Sequence, residues 1–352
     1  MIADYYLHIK HLIHKVVFKE RFLYNPLLAC SMGEITKISP ELKILLEKQH
    51  YCFSGEHSAV KICTWTKKSL LDEDICYKEK FYGIRSHLCC QMTPSVGFCT
   101  NQCVHCWREM DYTSGIKMNN IVDEPEEIIK KSILCQRKLL NGFFGNEKVN
   151  MEKLNQAQEP MHFAISLTGE PTIYPKLSEL ITKLHKQGKT SFLVTNGQFP
   201  DAIKSLKELP TQLYVSLSAA NEHDFRKLNK SCFKDGWQRL NKTLELMPEL
   251  KTRTVIRITL IKGINMKHEK AYANLIKKAG PMFVELKAYM FIGSSRKRLL
   301  ESNMPFHEDV KEFAEKVAEL SGYKLIDEKK ESRVVLLAKQ DYKDRIMRFD
   351  DS

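Results

Sequence analysis

From about residue 120 onward the sequence alternates between short apolar runs and amphipathic stretches, and this alternation restricts the possible folds more than any other feature. Runs of strand length fall at His162–Leu167, Ser191–Val194, Leu213–Leu217, Thr254–Ile261 and Phe283–Phe291. Between them, Glu124–Leu140, with Ile128, Ile129, Ile133 and Leu134 on one side, and Leu177–Lys186, stopped by Gly188, read as helices. Further helical segments lie around 200–208, 234–247 and 268–279. Strand–helix alternation predicts a parallel α/β sheet with right-handed crossovers, whose functional groups stand on the turns after the strands. Two such turns are Thr168-Gly169-Glu170-Pro171 and Thr195-Asn196-Gly197. The units are too few for a full eight-fold barrel. A helix over His307–Leu320 and strands near Tyr323–Ile326 and Arg333–Ala338 follow. Upstream, Ser39 is placed to cap a helix that begins at Pro40 and carries Leu42, Leu45 and Leu46 on its apolar face. Residues 1–37 show no clear periodicity and read as an arm or a mis-called start.

The cysteines narrow the chemistry. There are 11, most of them between Cys52 and Cys106, in a chain of 352 residues. A secreted disulfide framework is usually smaller and evenly paired, so clustered thiols here point to metal ligands in a reducing cytoplasm. Leu27-Leu28-Ala29-Cys30 superficially matches a lipoprotein cleavage site, but Asn25 and Pro26 interrupt the apolar run before it. The longest stretch without a charged residue, Ser86–Trp107, is too polar for a membrane helix. A cytoplasmic protein with no membrane partner is expected. The formal net charge of +12 favours a polyanionic partner such as nucleic acid, although a merely basic solvated surface would give the same number.

Cys99, Cys103 and Cys106 form a C-x3-C-x2-C loop, a spacing that can hold three irons of a four-iron cluster and leave the fourth without a protein ligand. Zinc is the alternative, with a fourth thiol available nearby. Upstream, Cys63, Cys76 and Cys89 are evenly spaced, but Cys90 sits beside Cys89 and spacing cannot choose between them. This upstream set reads as a second cluster site or as scattered buried thiols.

The Cys99–Cys106 loop resembles that of the radical S-adenosylmethionine (radical-SAM) superfamily, with His105 at the aromatic position before the last cysteine. Thr168-Gly169-Glu170-Pro171 resembles the Gly-Gly-Glu element that receives the methionine amino group, with Thr168 in place of the first glycine. A wider match is carried by Lys48-Gln49-His50-Tyr51, Ala59 to Lys68, Cys76-Tyr77-Lys78, Phe81 to Ile84 and Gln91 to Pro94. It continues through Trp107, Ser166–Pro171, Lys287 to Met290 and Gly293 to Leu299. From about residue 38 onward the chain resembles the tRNA 4-demethylwyosine synthase family, archaeal stand-alone type.

That resemblance implies an incomplete (βα)6 TIM-like radical-SAM barrel at 93–300, an N-terminal cluster-binding segment at 38–92 and a small α+β extension at 301–352. It implies two [4Fe-4S] clusters, one on Cys99, Cys103 and Cys106, the other on Cys63, Cys76 and Cys89 with Cys90 a bystander. The expected reaction is a carbon–carbon lyase chemistry that condenses pyruvate with N1-methylguanosine at position 37 of tRNA-Phe. Lys78 is the amine expected to form a Schiff base with pyruvate, which requires its neutral form. Thr168, Gly169, Glu170, Asn196, Ser216, Ser218 and His105 are expected around S-adenosylmethionine. Lys287 and Tyr289 alternate along a strand and are expected to share a face, and Arg296-Lys297-Arg298 is expected on RNA phosphates. Electrons would come from a separate ferredoxin or flavodoxin, and a monomer is expected. Two rivals are another radical-SAM RNA-modifying enzyme and a zinc-stabilised RNA-binding module.

Overall fold

The computed structural model describes residues 37–119 and 121–349. The expectation for residues 1–37 therefore lies almost wholly outside the described residues. Ten strands form one sheet in the order β1-β2-β3-β4-β5-β6-β7-β8-β10-β9. At its centre, β3 (Cys89–Thr93), β4 (His162–Ile165), β5 (Thr190–Thr195), β6 (Gln212–Ser216), β7 (Arg253–Leu260) and β8 (Phe283–Ala288) run parallel. The short antiparallel pair β1 (Cys52–Phe53) and β2 (Ala59–Val60) extends one edge. The antiparallel hairpin β9 (Lys324–Lys329) and β10 (Val334–Ala338) extends the other through β8. Six parallel strands without closure make the incomplete barrel. The 301–352 extension contributes two strands to this same sheet.

Alternation along the strands sorts side chains into two apolar layers. Cys90, Phe163, Leu193, Leu213, Val215, Ile256, Ile258, Val284 and Leu286 pack outward. Against them lie Leu180 and Leu184 of one crossover helix (Leu177–Lys186), Leu240 and Leu244 of another (Gly236–Leu246) and Ile276 of a third (Glu269–Ala279). The inner layer holds Phe192, Tyr214, Val255, Phe283 and Leu336, and a short helix, Tyr77–Tyr82, is seated on it through Tyr77, Phe81 and Tyr82. That helix carries Lys78 into the concave side.

Several local expectations hold. The Ser39 hydroxyl accepts the amide of Leu42 at 3.2 Å, and the helix Pro40–Lys48 buries Leu42 and Leu46. Others need correction. The helix Pro125–Leu140 buries Ile128, Ile129, Ser132, Cys135 and Gln136, and Leu134 points to solvent at 52% exposure. Six residues separate Leu134 from Ile128, which carries it well off the packed stripe. The expected strand Phe283–Phe291 stops at Ala288, so Tyr289 no longer shares the face of Lys287. Tyr289 belongs to the outer apolar layer, and its hydroxyl meets that of Ser295 at 2.8 Å. Cys52 and Cys135 are joined in a disulfide that ties β1 to the helix Pro125–Leu140.

The N-terminal mouth of the barrel is sealed by the last described residues. Arg253 donates to the carbonyls of Asp344 and Arg345, both at 2.7 Å, and the Met347 amide donates to Tyr82. The Phe349 ring packs edge-on to buried His162 at 4.7 Å. No helix of the described residues is long and apolar enough to cross a membrane.

Candidate active site

The loop with Cys99, Cys103 and Cys106 stands beyond the C-terminal end of β3 and is fastened to three neighbouring elements. Its Gln102 and Val104 amides donate to Asn229 and Leu228, at the end of the helix Glu222–Asn229. Arg108 donates to the Asn101 carbonyl at 2.7 Å. From the segment after β8, the Arg298 guanidinium donates to the carbonyls of Val104 and Cys106. Gly293, at φ +56°, lies so close beneath Trp107 that a Cβ would sit 2.5 Å from its carbonyl oxygen. A side chain there would push the loop away.

Thr168, Gly169 and Glu170 reach the same loop from the end of β4. The Glu170 amide donates to the Phe98 carbonyl at 2.7 Å. Gly169 has φ +74°, and a Cβ there would fall 1.9 Å from the Ser95 carbonyl oxygen, so only glycine fits. The buried Glu170 carboxylate accepts from the hydroxyls of Thr172 and Thr195 and from the Asn196 amide. Burial pushes its pKa up, and these donors hold it down in part. Asn196 in turn points its amide at Cys99 Sγ (3.8 Å) and Thr100 Oγ1 (3.1 Å). Glu170 and Asn196 are thus brought together with the cysteine loop. Ser216 ends β6, and Ser218 follows it, with its carbonyl taking Asn265 and Tyr272 as donors. His105 is neutral, its pKa lowered to about 4 by burial and then by Arg298.

The second triad lies on the concave face. Cys63 precedes the helix Thr64–Leu70, its sulfur taking the Thr66 amide at 3.3 Å, while Cys76 precedes the helix Tyr77–Tyr82. Cys89 opens β3 facing inward, within electrostatic reach of Cys63 and Cys76. Cys90 is fully buried in the outer layer and faces the other way. Beside this triad, Lys78 places its ammonium over the rings of Phe192 (5.1 Å) and Tyr214 (4.7 Å). Burial, and then the charge of Arg257, lowers its pKa. Arg257 pairs with Glu285 at 3.0 Å and donates to the Tyr77 hydroxyl at 2.7 Å. Glu285 also accepts the hydroxyls of Tyr82 (2.8 Å) and Tyr77 (3.1 Å). Lys287 completes the chamber, its pKa lowered to about 8 by burial and then by Arg257.

Sequence reasoning singled out Lys287 on this polar floor but missed Arg257 and Glu285. The signal was present: Arg257, Glu285 and Lys287 are charges at inward positions of strands that are otherwise apolar, where an unpaired charge is too costly to persist without a purpose. It also missed Asn229, whose amide points at Cys103 Sγ at 3.7 Å. The basic cluster after β8 divides. Arg296 and Lys297 are exposed, Lys297 pairing with Glu109, whereas Arg298 is turned into the cysteine loop.

The three cysteines of the Cys99–Cys106 loop have the donor chemistry and spacing of an iron–sulfur cluster. Among the described residues, no group of three or more His, Cys, Asp or Glu side chains gathers tightly enough to hold one metal ion. In the Cys99–Cys106 loop, the buried side-chain amides of Asn101 and Gln102 lack an acceptor, which suits the negatively charged sulfides of a cluster. Burial raises the Cys99 thiol pKa and pushes that of Cys76 up to about 11, so a metal bound at either thiol would have to displace a proton.

Residues 93–276 match the radical SAM superfamily, and residues 278–339 match the wyosine base formation family. The chain is 50% identical over 305 residues to the S-adenosyl-L-methionine-dependent tRNA 4-demethylwyosine synthase of Pyrococcus abyssi, covering 86% of this chain and 89% of that one. It is 41% identical to the enzyme of the same name from Methanocaldococcus jannaschii, covering 87% of this chain and 98% of that one. A solved TYW1 with a lysine–pyruvate adduct bound superposes with a TM-score of 0.80 at 39% identity, covering 88% of this chain and 99% of that one. The chain belongs to the family of S-adenosyl-L-methionine-dependent tRNA 4-demethylwyosine synthases, on a radical-SAM core.

Proposed function

We propose that this chain condenses pyruvate with N1-methylguanosine at position 37 of tRNA-Phe, forming the tricyclic base 4-demethylwyosine. The observation that carries this reading is Lys78, a buried amine with a lowered pKa, between the second cysteine triad and the Arg257–Glu285 pair. Cys99, Cys103 and Cys106 would hold one four-iron cluster, and Cys63, Cys76 and Cys89 the other. When bound, S-adenosylmethionine and its cluster supply a radical able to take hydrogen from the N1-methyl group. Glu170, anchored by Thr195 and Asn196, holds its carboxylate beside the cysteine loop for the methionine amine. Lys78 in its neutral form adds to the keto carbon of pyruvate, the C=N bond forms and the carbonyl oxygen leaves as water. The aromatic rings around it keep bulk water from reversing that step.

Arg296 and Lys297 are exposed and would meet RNA phosphates there, Lys297 by exchanging its Glu109 partner. The remaining features of the reading are a carbon–carbon lyase classification, a monomeric cytoplasmic protein and an external ferredoxin or flavodoxin as electron donor. Cyanoborohydride trapping on the cluster-loaded protein, followed by peptide mass spectrometry, tests the role of Lys78. A pyruvate adduct on the Lys78 peptide, absent in Lys78→Met, is the expected result. An adduct elsewhere, or none, contradicts it.

A further inference from the structure

We propose that the Asn229 side chain donates a hydrogen bond to the Cys103 sulfur of the first cluster and raises that cluster's reduction potential. This inference rests on the reading that Cys99, Cys103 and Cys106 hold an iron–sulfur cluster. Asn229 closes the helix Glu222–Asn229 and is buried, with 3% of its surface exposed. Just beyond it Lys230 takes a left-handed turn at φ +44°, and residues 228–232 run antiparallel to residues 100–104. On one side of that turn Asn101 and Ser231 form an antiparallel bridge, and the Cys232 amide donates to the Thr100 carbonyl at 2.8 Å. On the other, the Gln102 amide donates to the Asn229 carbonyl and the Val104 amide to the Leu228 carbonyl, both at 2.9 Å. These last two bonds bracket Cys103. They hold its sulfur opposite the Asn229 side-chain amide, at 3.7 Å, between residues 126 positions apart in sequence.

Packing alone does not account for this side chain. Among the described residues, its amide nitrogen has Cys103 Sγ as acceptor and its buried Oδ1 has no donor. A buried carboxamide with one end unsatisfied costs stability, and an apolar residue of the same shape would avoid that cost. Asn196 differs: it lies 3.8 Å from Cys99 Sγ but gives its shorter bond, 3.1 Å, to Thr100 Oγ1. A metal-bound thiolate carries no proton and only accepts, which fixes the Asn229 amide with its N–H toward the sulfur. Adding an electron makes a cluster more negative, so an N–H donor at its sulfur stabilises the reduced state more than the oxidised one. With that bond in place, a weaker one-electron donor of the ferredoxin or flavodoxin type suffices to reduce the cluster.

The test is a redox titration followed by electron paramagnetic resonance on cluster-loaded wild type, Asn229→Leu and Asn229→Ala. Iron and sulfide per chain are measured on the same samples. The cluster on the Cys99–Cys106 loop is recognised as the one whose resonance changes when S-adenosylmethionine is added. Asn229→Leu removes the donor at nearly constant volume, and Asn229→Ala removes it without bulk that could displace the loop. Both should keep their iron and lower the midpoint of the S-adenosylmethionine-responsive cluster by about 59 mV, a tenfold change in the ratio of reduced to oxidised cluster for one electron. The midpoint of the other cluster should stay where it is. An unchanged midpoint in variants that keep their iron overturns this inference alone. An equal shift of both midpoints also overturns it, marking a general loosening of the fold. Loss of iron in both variants overturns it too, making Asn229 a scaffold of the loop. A wild type in which no resonance responds to S-adenosylmethionine overturns the cluster assignment, and this inference with it.

Discussion

Cys89 and Cys90 show how a one-residue step decides chemistry. Spacing along the chain could not choose between them, but a strand sends adjacent side chains to opposite faces. Once β3 is paired with β4, Cys89 faces Cys63 and Cys76, while Cys90 is packed among Met92, Phe163 and Ile165. The prediction is direct. Cys90→Ala should keep the full iron content and cost about 1 kcal/mol of stability, the effect of removing a small buried group. Cys89→Ala should lose the iron of one of the two clusters and retain the visible spectrum of the other. Iron analysis of the two variants side by side checks this, and equal iron loss in both would contradict it.

Elements were unevenly readable. Five of the six parallel strands announce themselves as apolar runs between helices, and the loops that follow them carried the Glu170 and Asn196 candidates. The sixth, β3, reads Cys-Cys-Gln-Met-Thr, which neither alternates cleanly nor runs apolar, so its place in the sheet emerges only from its pairing with β2 and β4. The helix Tyr77–Tyr82 is too short to show a period, yet it is what puts Lys78 inside the barrel. The basic run after β8 was readable as charge but not as geometry. Arg298 serves the cysteine loop, because it donates to Val104 and Cys106, while Arg296 and Lys297 face solvent. Arg298→Ala should therefore weaken iron retention and leave the salt dependence of tRNA binding nearly unchanged. Arg296→Ala and Lys297→Ala should each lower the slope of log affinity against log salt by about 1 and leave iron in place. Filter binding at several salt concentrations, with iron analysis, separates the two roles.

At the scale of the whole molecule, one end of the barrel does chemistry and the other is closed. The closed end is built around His162, fully buried, with Nε2 accepting the Arg85 amide and Nδ1 donating to Thr190. Burial, and then Arg85 and His87, lower its pKa to about 3 from the ordinary 6.5. As pH falls below 6.5 the unfolded chain gains a proton that the native state refuses until about 3. The stability this neutral ring contributes is complete above 6.5 and lost progressively through that window. Between pH 6.5 and 4.5 His162 should account for a loss of about 2 kcal/mol in denaturant melts, and His162→Gln should remove that part of the slope. An unchanged slope would remove His162 from the account. At the open end, the central claim is that two cysteine triads, Lys78 and a surface bearing Arg296 and Lys297 serve one reaction on one tRNA. The most direct test is anaerobic incubation of cluster-loaded protein with S-adenosylmethionine, reductant, pyruvate and tRNA-Phe bearing N1-methylguanosine, then mass spectrometry of the digested nucleosides. A 4-demethylwyosine peak that requires pyruvate and vanishes in Lys78→Met is the expected result. Formation of 5′-deoxyadenosine with no tricyclic nucleoside would contradict it.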